Sequence, residues 1–209
     1  MADTFDVTGS GSHTTNISNL TDGVNYNYYI RCDDGLGNSN MSDEVVNITV
    51  DANVNTFITE WDTSAGAGNS GLGNFKLQLS ASGSYNFHVD WGDGTTDSIT
   101  SWDQVESQHN YNTGALYQVT INGTIEDIGF ASEGVKLTDI SQWGNVILSN
   151  QGFLFMDTNN ITSFSATDTP DLSTLTNLAG MFYGSSFNGD ISNWDVSNIT
   201  NMSSMFAQS

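Results

Sequence analysis

The chain has 209 residues and a formal net charge of −21, because 24 acidic side chains face only three basic ones. Binding to nucleic acid or to an anionic bilayer needs clustered Lys and Arg, so the composition excludes both kinds of partner. Two explanations of the unpaired carboxylates stay open: a soluble surface adapted to salty surroundings, or carboxylates that hold Ca²⁺. The frequent Gly, Asn, Ser and Thr favour strands and turns over helices.

The single cysteine, Cys32, excludes an internal disulfide and a zinc site built on cysteines. The first residues, Met1–Asp6, lack the basic and apolar regions of a secretory signal. No apolar run is long enough to cross a bilayer as a helix. We therefore expect no direct membrane insertion by this sequence, and we expect any export or anchoring signal to lie outside it.

Residues 1–51 have the pattern of a small β-module. Apolar and polar side chains alternate over Tyr26–Cys32, and a second strand is predicted over Val45–Val50. Leu20 is followed by an Asp-Gly turn and by a tyrosine six residues later, a spacing similar to the tyrosine corner of immunoglobulin-like sandwiches. Leu20–Asn38 resembles the second half of a fibronectin type III domain. The resemblance implies a partial sandwich whose first strands lie outside this sequence.

Residues 52–128 show short alternating strands separated by turns, the pattern of a β-sandwich. Alternation is clearest over Phe75–Leu79 and Tyr85–Trp91. Three motifs in this order resemble a PKD-type domain: Val89–Thr95 with its Gly-Asp-Gly turn, His109–Tyr111, and Gly114–Thr120. The sequence departs from that family by one extra residue between Gly114 and Tyr117.

Residues 129–209 contain an internal repeat. Asp171–Phe182 returns as Asp195–Phe206, with every matched position offset by 24 residues (195 − 171). A fixed period of this length is typical of a solenoid, in which each unit buries its apolar face against the next. Asp139–Trp143 also foreshadows Asp190–Trp194, which indicates a less regular first unit.

Gly180–Phe206 closely resembles the repeat of BspA-like leucine-rich-repeat surface proteins, the mycoplasma-lipoprotein type. The resemblance implies an extracellular surface protein involved in attachment or cell–cell contact. On this basis we expect a short strand over Ile191–Trp194, with Trp194 facing outward, and a helical or 3-10 return over Asn201–Phe206. We also expect Met205 and Phe206 to form an exposed stacking edge, with further repeats of the same chain after Ser209.

Two turns carry enough carboxylates to be candidate calcium sites, because Ca²⁺ takes six to eight oxygen ligands from flexible loops. The alternative is that Asp and Gly simply form the turns. The first candidate consists of Asp90, Asp93 and Asp97, and the second of Asp33, Asp34 and Asn38.

The tryptophans suggest a possible sugar-binding surface, since an exposed aromatic ring stacks on sugar faces. Trp143 and Trp194 are the candidate ligand-binding residues, and core packing is the alternative. His109 could act as a ligand or base, but no nucleophile accompanies it, so a histidine hydrogen-bonded within the sandwich is favoured. No catalytic motif is present.

These patterns together predict a mainly β chain: a partial fibronectin-like sandwich, a PKD-like sandwich and the start of a leucine-rich-repeat-type solenoid. The function predicted first is non-enzymatic adhesion at a cell surface, through a solenoid held on sandwich spacers and directed at an extracellular protein or glycan. The alternative is a carbohydrate-binding module of a larger secreted polysaccharide-active protein. A hydrolase would instead need two carboxylates facing each other in a cleft.

Overall fold

The structure is a computed structural model, and it describes residues 4–8, 25–33, 36, 44–49, 55–66, 68 and 70–209. The chain divides into two compact units, Met1–Val54 and Asn55–Ser209. Both units are built from strands and turns, which confirms the predicted mainly β class. The described residues include no helix long and apolar enough to cross a membrane.

The first unit contains a three-stranded sheet in which β2 is central. Strand β1 pairs with β2 in parallel, and β2 pairs with β3 antiparallel. The alternation predicted over Tyr26–Cys32 lies within β2. The strands are β1 (Thr4–Thr8), β2 (Asn25–Asp33) and β3 (Glu44–Thr49).

The second unit is organised around a larger sheet with the strand order β11-β4-β10-β7-β8, to which β6 and β12 add through β10. A separate antiparallel pair, β5 and β9, packs on this sheet, because the Phe75 ring of β5 lies 4.1 Å from the Trp61 ring of β4. The strands are β4 (Phe57–Asp62), β5 (Asn74–Lys76), β6 (Gln78–Leu79), β7 (Tyr85–Asp90), β8 (Thr96–Ile99), β9 (Gln108–Asn110), β10 (Leu116–Gly129), β11 (Leu137–Gln142) and β12 (Ile147–Leu148).

The long strand β10 links the sandwich to the repeat region. Its first half pairs with β4 from Leu116 to Ile121, and its middle pairs with β7 from Thr120 to Ile125. Its last residues pair with β6 and β12. Alternate side chains such as Val119 and Ile121 point into the core, as the period of a half-buried strand requires. β10 therefore carries the sandwich core to the first coil of the repeats.

Residues 149–209, here called the coil stack, form superposed coils joined by backbone hydrogen bonds rather than by strands. The N–H groups of Phe153 and Phe155 donate to the carbonyls of Ala179 and Met181, both at 2.8 Å. The next pair of coils repeats this pattern, with donor and acceptor 23 residues apart. The acceptors are, in order, the carbonyls of Asn201, Ser203, Met205 and Ala207, and the donors are the N–H groups of Leu178, Gly180, Phe182 and Gly184. Successive coils therefore stack on one another, as the repeat predicts for a solenoid.

The predicted strand over Ile191–Trp194 is wrong. The Trp194 N–H donates to the Ile191 carbonyl at 3.1 Å, which makes this segment a turn. The β-bridge between the repeat coils lies instead at Asn177 and Asn201. Asn201–Phe206 likewise forms turns and not a helix.

Four phenylalanine rings stack from the sheet into the coil stack, and we call them the phenylalanine ladder: Phe130, Phe155, Phe182 and Phe206. Phe130 and Phe155 stack with centroids 4.9 Å apart and 7° between planes. Phe155 stacks on Phe182 at 5.5 Å and 12°, and Phe182 on Phe206 at 5.4 Å and 10°. Because Phe130 follows β10 directly, the ladder joins the sandwich core and the coil core into one hydrophobic cluster.

Each coil has two residues with left-handed backbone at matching positions. The pairs are Phe153 and Asp157 (φ 53° and 58°), Gly180 and Gly184 (59° and 64°), and Ser204 and Gln208 (56° and 62°). Only one of the three coils fills these positions with glycine, although the left-handed region costs other residues roughly 1–2 kcal/mol. Coil pairing therefore holds the same backbone in place whichever side chain is present.

Replacing Gly180 with alanine should destabilise the chain by about 1–2 kcal/mol from the left-handed backbone alone. The added Cβ would also lie 2.3 Å from Cε1 of Phe153, so the measured loss should be larger. The reciprocal change Ser204→Gly, at the equivalent position, should raise stability by up to about 1 kcal/mol. Urea unfolding of both variants measures the two effects. Equal destabilisation by both would contradict the equivalence of the two positions.

Candidate binding surfaces

An asparagine row lies along the coil stack at Asn150, Asn177 and Asn201. Asn150 Oδ1 accepts hydrogen bonds from the N–H groups of Thr176 and Asn177, both at 2.9 Å. One coil further on, the N–H groups of Thr200 and Asn201 donate to the Thr176 carbonyl. The side chain of Asn150 and the backbone of Asn201 thus bond to the neighbouring coil, so the row helps to fix the coil spacing.

Carboxylates at the coil corners cap local turns. Oδ1 of Asp171, Asp190 and Asp195 accepts the N–H of the serine two residues later, at 2.9, 2.9 and 3.0 Å. Hydrogen bonds from those serines hold the pKa of each carboxyl below its ordinary value. The corners therefore present ionised carboxylates to solvent.

The tryptophans proposed for sugar binding are inside the molecule. Trp143 is 1% exposed and Trp194 is 8% exposed. Their rings meet edge to face at 6.0 Å, and Trp194 also stacks on Phe164. The outward orientation expected for Trp194 is wrong, because its ring fills the corner between coils. Neither Trp143 nor Trp194 presents a ring face to a ligand.

The last coil exposes only part of its apolar edge. Phe206 is 47% exposed and Met202 is 42% exposed, whereas Met205 is 8% exposed. The stacking edge predicted for Met205 and Phe206 is therefore correct for Phe206 and wrong for Met205. The Met205 side chain belongs to the shared core.

The first calcium candidate does not converge on a common point. Asp90 Oδ1 accepts the N–H of Gly92, and Asp93 Oδ1 accepts the N–H and hydroxyl of Thr95. Asp97 Oδ2 accepts the indole N–H of Trp91 at 2.8 Å. Within the described ranges no group of three or more His, Cys, Asp or Glu is placed to hold a metal ion. The geometry therefore favours turn formation for these three aspartates.

The second calcium candidate is largely outside the described residues. Asp34 and Asn38 lie there, and Asp33 is the last residue of β2. This candidate stays a prediction.

His109 is held as part of the sandwich. Its ring stacks on Trp91 at 4.9 Å and 7°, and its Nε2 lies 2.8 Å from Asp93 Oδ2. The hydroxyl of Thr95 approaches the same Nε2 at 3.5 Å. A histidine base in a catalytic triad uses one ring nitrogen for the nucleophile and the other for the carboxylate. Asp93, His109 and Thr95 do not have that arrangement.

The Asp93 contacts predict a pH effect on stability. Burial raises the pKa of Asp93, but hydrogen bonds from Thr95 and His109 outweigh it, so the pKa lies below the ordinary 3.8. A depressed carboxyl pKa stabilises the fold above the unfolded value, and that stability is lost as the pH falls through the folded pKa. Below pH 4, Asp93→Asn should therefore lose stability less steeply than the unmodified chain. Thermal melts between pH 5 and 2.5 measure this, and parallel curves would contradict it.

A buried ion pair was not foreseen from the sequence. Lys136 Nζ lies 2.9 Å from Glu133 Oε2, and both side chains are at most 2% exposed. The same Nζ lies 2.6–2.8 Å from the Ser70 hydroxyl and the carbonyls of Gly71 and Asn74. One of the three bases of the chain thus ties the glycine-rich loop before β5 to β11. The available signal was the position of Lys136 between Val135 and Leu137, directly before a buried strand.

Comparison with known families gives a match to the coil stack. A family model described as "Mycoplasma protein of unknown function, DUF285" matches residues 150–209. Comparisons with curated proteins and with solved structures give no match. The matched residues are those of the coil stack.

Proposed function

We propose that the chain belongs to a non-enzymatic extracellular surface protein that makes adhesive contacts through its coil stack. The family match to residues 150–209 supports this, together with the resemblance of the repeat to BspA-like surface proteins. The sandwich resembling a PKD domain serves as a spacer in this proposal. The partner is an extracellular protein or a glycan.

One observation carries the proposal: the coil stack presents equivalent polar positions in register on successive coils. Asp171 and Asp195 cap equivalent corners, and Asn177 and Asn201 form the bridge between the coils. The phenylalanine ladder inside the coil stack supports this outer surface. A repeated rigid face suits contact with an extended partner.

Attachment of protein-coated beads to a cell monolayer tests the proposal. The double variant Asn193→Lys and Val196→Lys changes two exposed positions on one coil, where Val196 is 40% exposed. We expect coated beads to attach and the double variant to reduce attachment at least several-fold, because added charge disrupts a complementary contact.

The matched control places the same two changes on the sandwich, as Asn112→Lys with Val105→Lys. Both residues are exposed and lie far from the coils in sequence. It should leave attachment unchanged. Loss of attachment in the control alone, or no attachment by the unmodified chain, would contradict the proposal.

A further inference from the structure

A continuous polar groove follows the end of β10, where the sheet meets the first coil. It consists of three adjoining depressions of about 340, 480 and 240 Å³. The first and second share Glu126, and the second and third share Asp127 and Gln151. The two larger depressions lie within the range of about 300–1,000 Å³ that is typical of small-molecule sites. The groove adjoins the Asp171 corner, since Ile147 in its lining forms a β-bridge with Asp171, but it contains neither Asn193 nor Val196.

The lining offers hydrogen-bonding side chains that the fold leaves unused. Asn122, Asn145, Gln151, Thr174 and Glu126 line the groove, and none makes a side-chain hydrogen bond to the described part of the chain. Amides and hydroxyls both donate and accept, which matches the dual character of sugar hydroxyl groups. These side chains therefore remain available to a bound ligand.

Charge limits the class of ligand. Among the described residues no Lys, Arg or His lines any of the three depressions, whereas Glu126 and Asp127 do. Sulfated, phosphorylated or sialylated ligands would bring negative charge beside these carboxylates without a cation to offset it. The groove therefore favours an uncharged ligand.

An aromatic ring stands at one end of the groove. Phe153 lines the third depression and is 44% exposed, although the other rings of the first coil are buried or half-buried. Its left-handed backbone, with φ 53°, holds it at the coil position that is glycine in the next coil. An exposed ring beside unused amides is the combination that stacks on and hydrogen-bonds to a pyranose.

We propose that this groove binds a neutral oligosaccharide, with Phe153 stacking on one sugar ring and Asn122, Glu126 and Gln151 hydrogen-bonding along the chain. A peptide is less suitable, because peptide grooves supply apolar pockets for side chains or an open strand edge. Here the accessible lining is mostly polar, and its apolar part consists of Phe153 with the half-buried Leu79 and Ile147.

A printed array of neutral, sulfated and sialylated tetra- to hexasaccharides tests the proposal with the full chain, followed by calorimetry on the tightest-binding sugar. We expect binding confined to neutral sugars. Gln151→Ala and Asn122→Ala should each weaken it by about 2- to 10-fold, the equivalent of one net hydrogen bond. Phe153→Leu, which keeps apolar bulk but removes the ring, should weaken it about 10-fold.

Asn112→Ala, an exposed amide outside the groove, is the matched control and should leave the affinity unchanged. Gln151 and Asn122 are exposed, so replacing them should leave the melting temperature unchanged. An unchanged melting temperature then shows that weaker binding does not come from a loss of fold. No binding of any neutral sugar at millimolar concentration would overturn the proposal. Preferential binding of sulfated sugars, or affinity unchanged by all three groove variants, would overturn it as well.

Discussion

Replacing Phe155 with alanine is expected to lower the free energy of unfolding of the second unit by about 3–5 kcal/mol. Phe155 is fully buried and stacks between Phe130 on the sheet side and Phe182 on the coil side. Removing it leaves a cavity between the rings of Phe130 and Phe182. Their backbones are held by hydrogen bonds to Leu154 and Met205, so the neighbours can fill that cavity only in part. Urea unfolding followed by tryptophan fluorescence measures the loss.

The matched control is Phe206→Ala, at the other end of the phenylalanine ladder. Phe206 has a ring neighbour on one side only and is 47% exposed, so the loss should be about 1 kcal/mol. Equal losses for Phe155 and Phe206 would contradict the role given to ring stacking between sheet and coils.

Replacing Lys136 with methionine is expected to cost about 3–5 kcal/mol, because it leaves the Glu133 carboxylate buried without its cation. The loop carbonyls of Gly71 and Asn74 lose their shared donor at the same time. Thermal and urea unfolding measure the effect. Proteolysis of the loop before β5 should also become faster, since Lys136 no longer holds that loop against β11.

The double variant Lys136→Met with Glu133→Gln serves as the control for the charge. It removes both charges, so it should lose less stability than the sum of the two single variants. A neutral effect of Lys136→Met alone would mean that the buried pair contributes nothing to the fold. Full additivity of the two single changes would show that the two groups do not interact.

Much of the fold could be predicted because its signals are local and periodic. The alternation over Tyr85–Trp91 corresponds to β7, and the predicted strand over Val45–Val50 overlaps β3. The 24-residue offset between Asp171 and Asp195 is reproduced by the β-bridge between Asn177 and Asn201. Period-two alternation and internal repetition are patterns along the sequence, so they can be recognised without the structure.

The errors occurred where tertiary contacts decide the outcome. A four-residue segment such as Ile191–Trp194 is too short for its pattern to separate a strand from a turn. Trp194 lies inward because Phe164 and Trp143, distant in sequence, form its pocket. The burial of Lys136 depends on the carbonyls of a loop more than sixty residues earlier. None of these partners is visible from local composition.

The two candidate sugar-binding surfaces, the tryptophan pair and the groove, also differ in burial. Residue type alone predicts a sugar-binding role for Trp143 and Trp194, but both rings are buried in the core. The groove depends on residues from β10, the turn after β11 and the first coil, which only the folded chain brings together. A ligand-binding role for this chain therefore rests on the groove and not on the tryptophans.

The sandwich and the coil stack share one core through the phenylalanine ladder. Native-state hydrogen exchange tests this shared core most directly, by comparing amides of β4 and β10 with the coil amides of Phe155, Gly180 and Phe182. A shared core predicts that both sets exchange through one global opening, and that Phe155→Ala lowers the opening free energy of both sets by the same amount. The shared core would be contradicted if the coil amides opened at a lower free energy than the sheet amides and only the coil amides responded to Phe155→Ala.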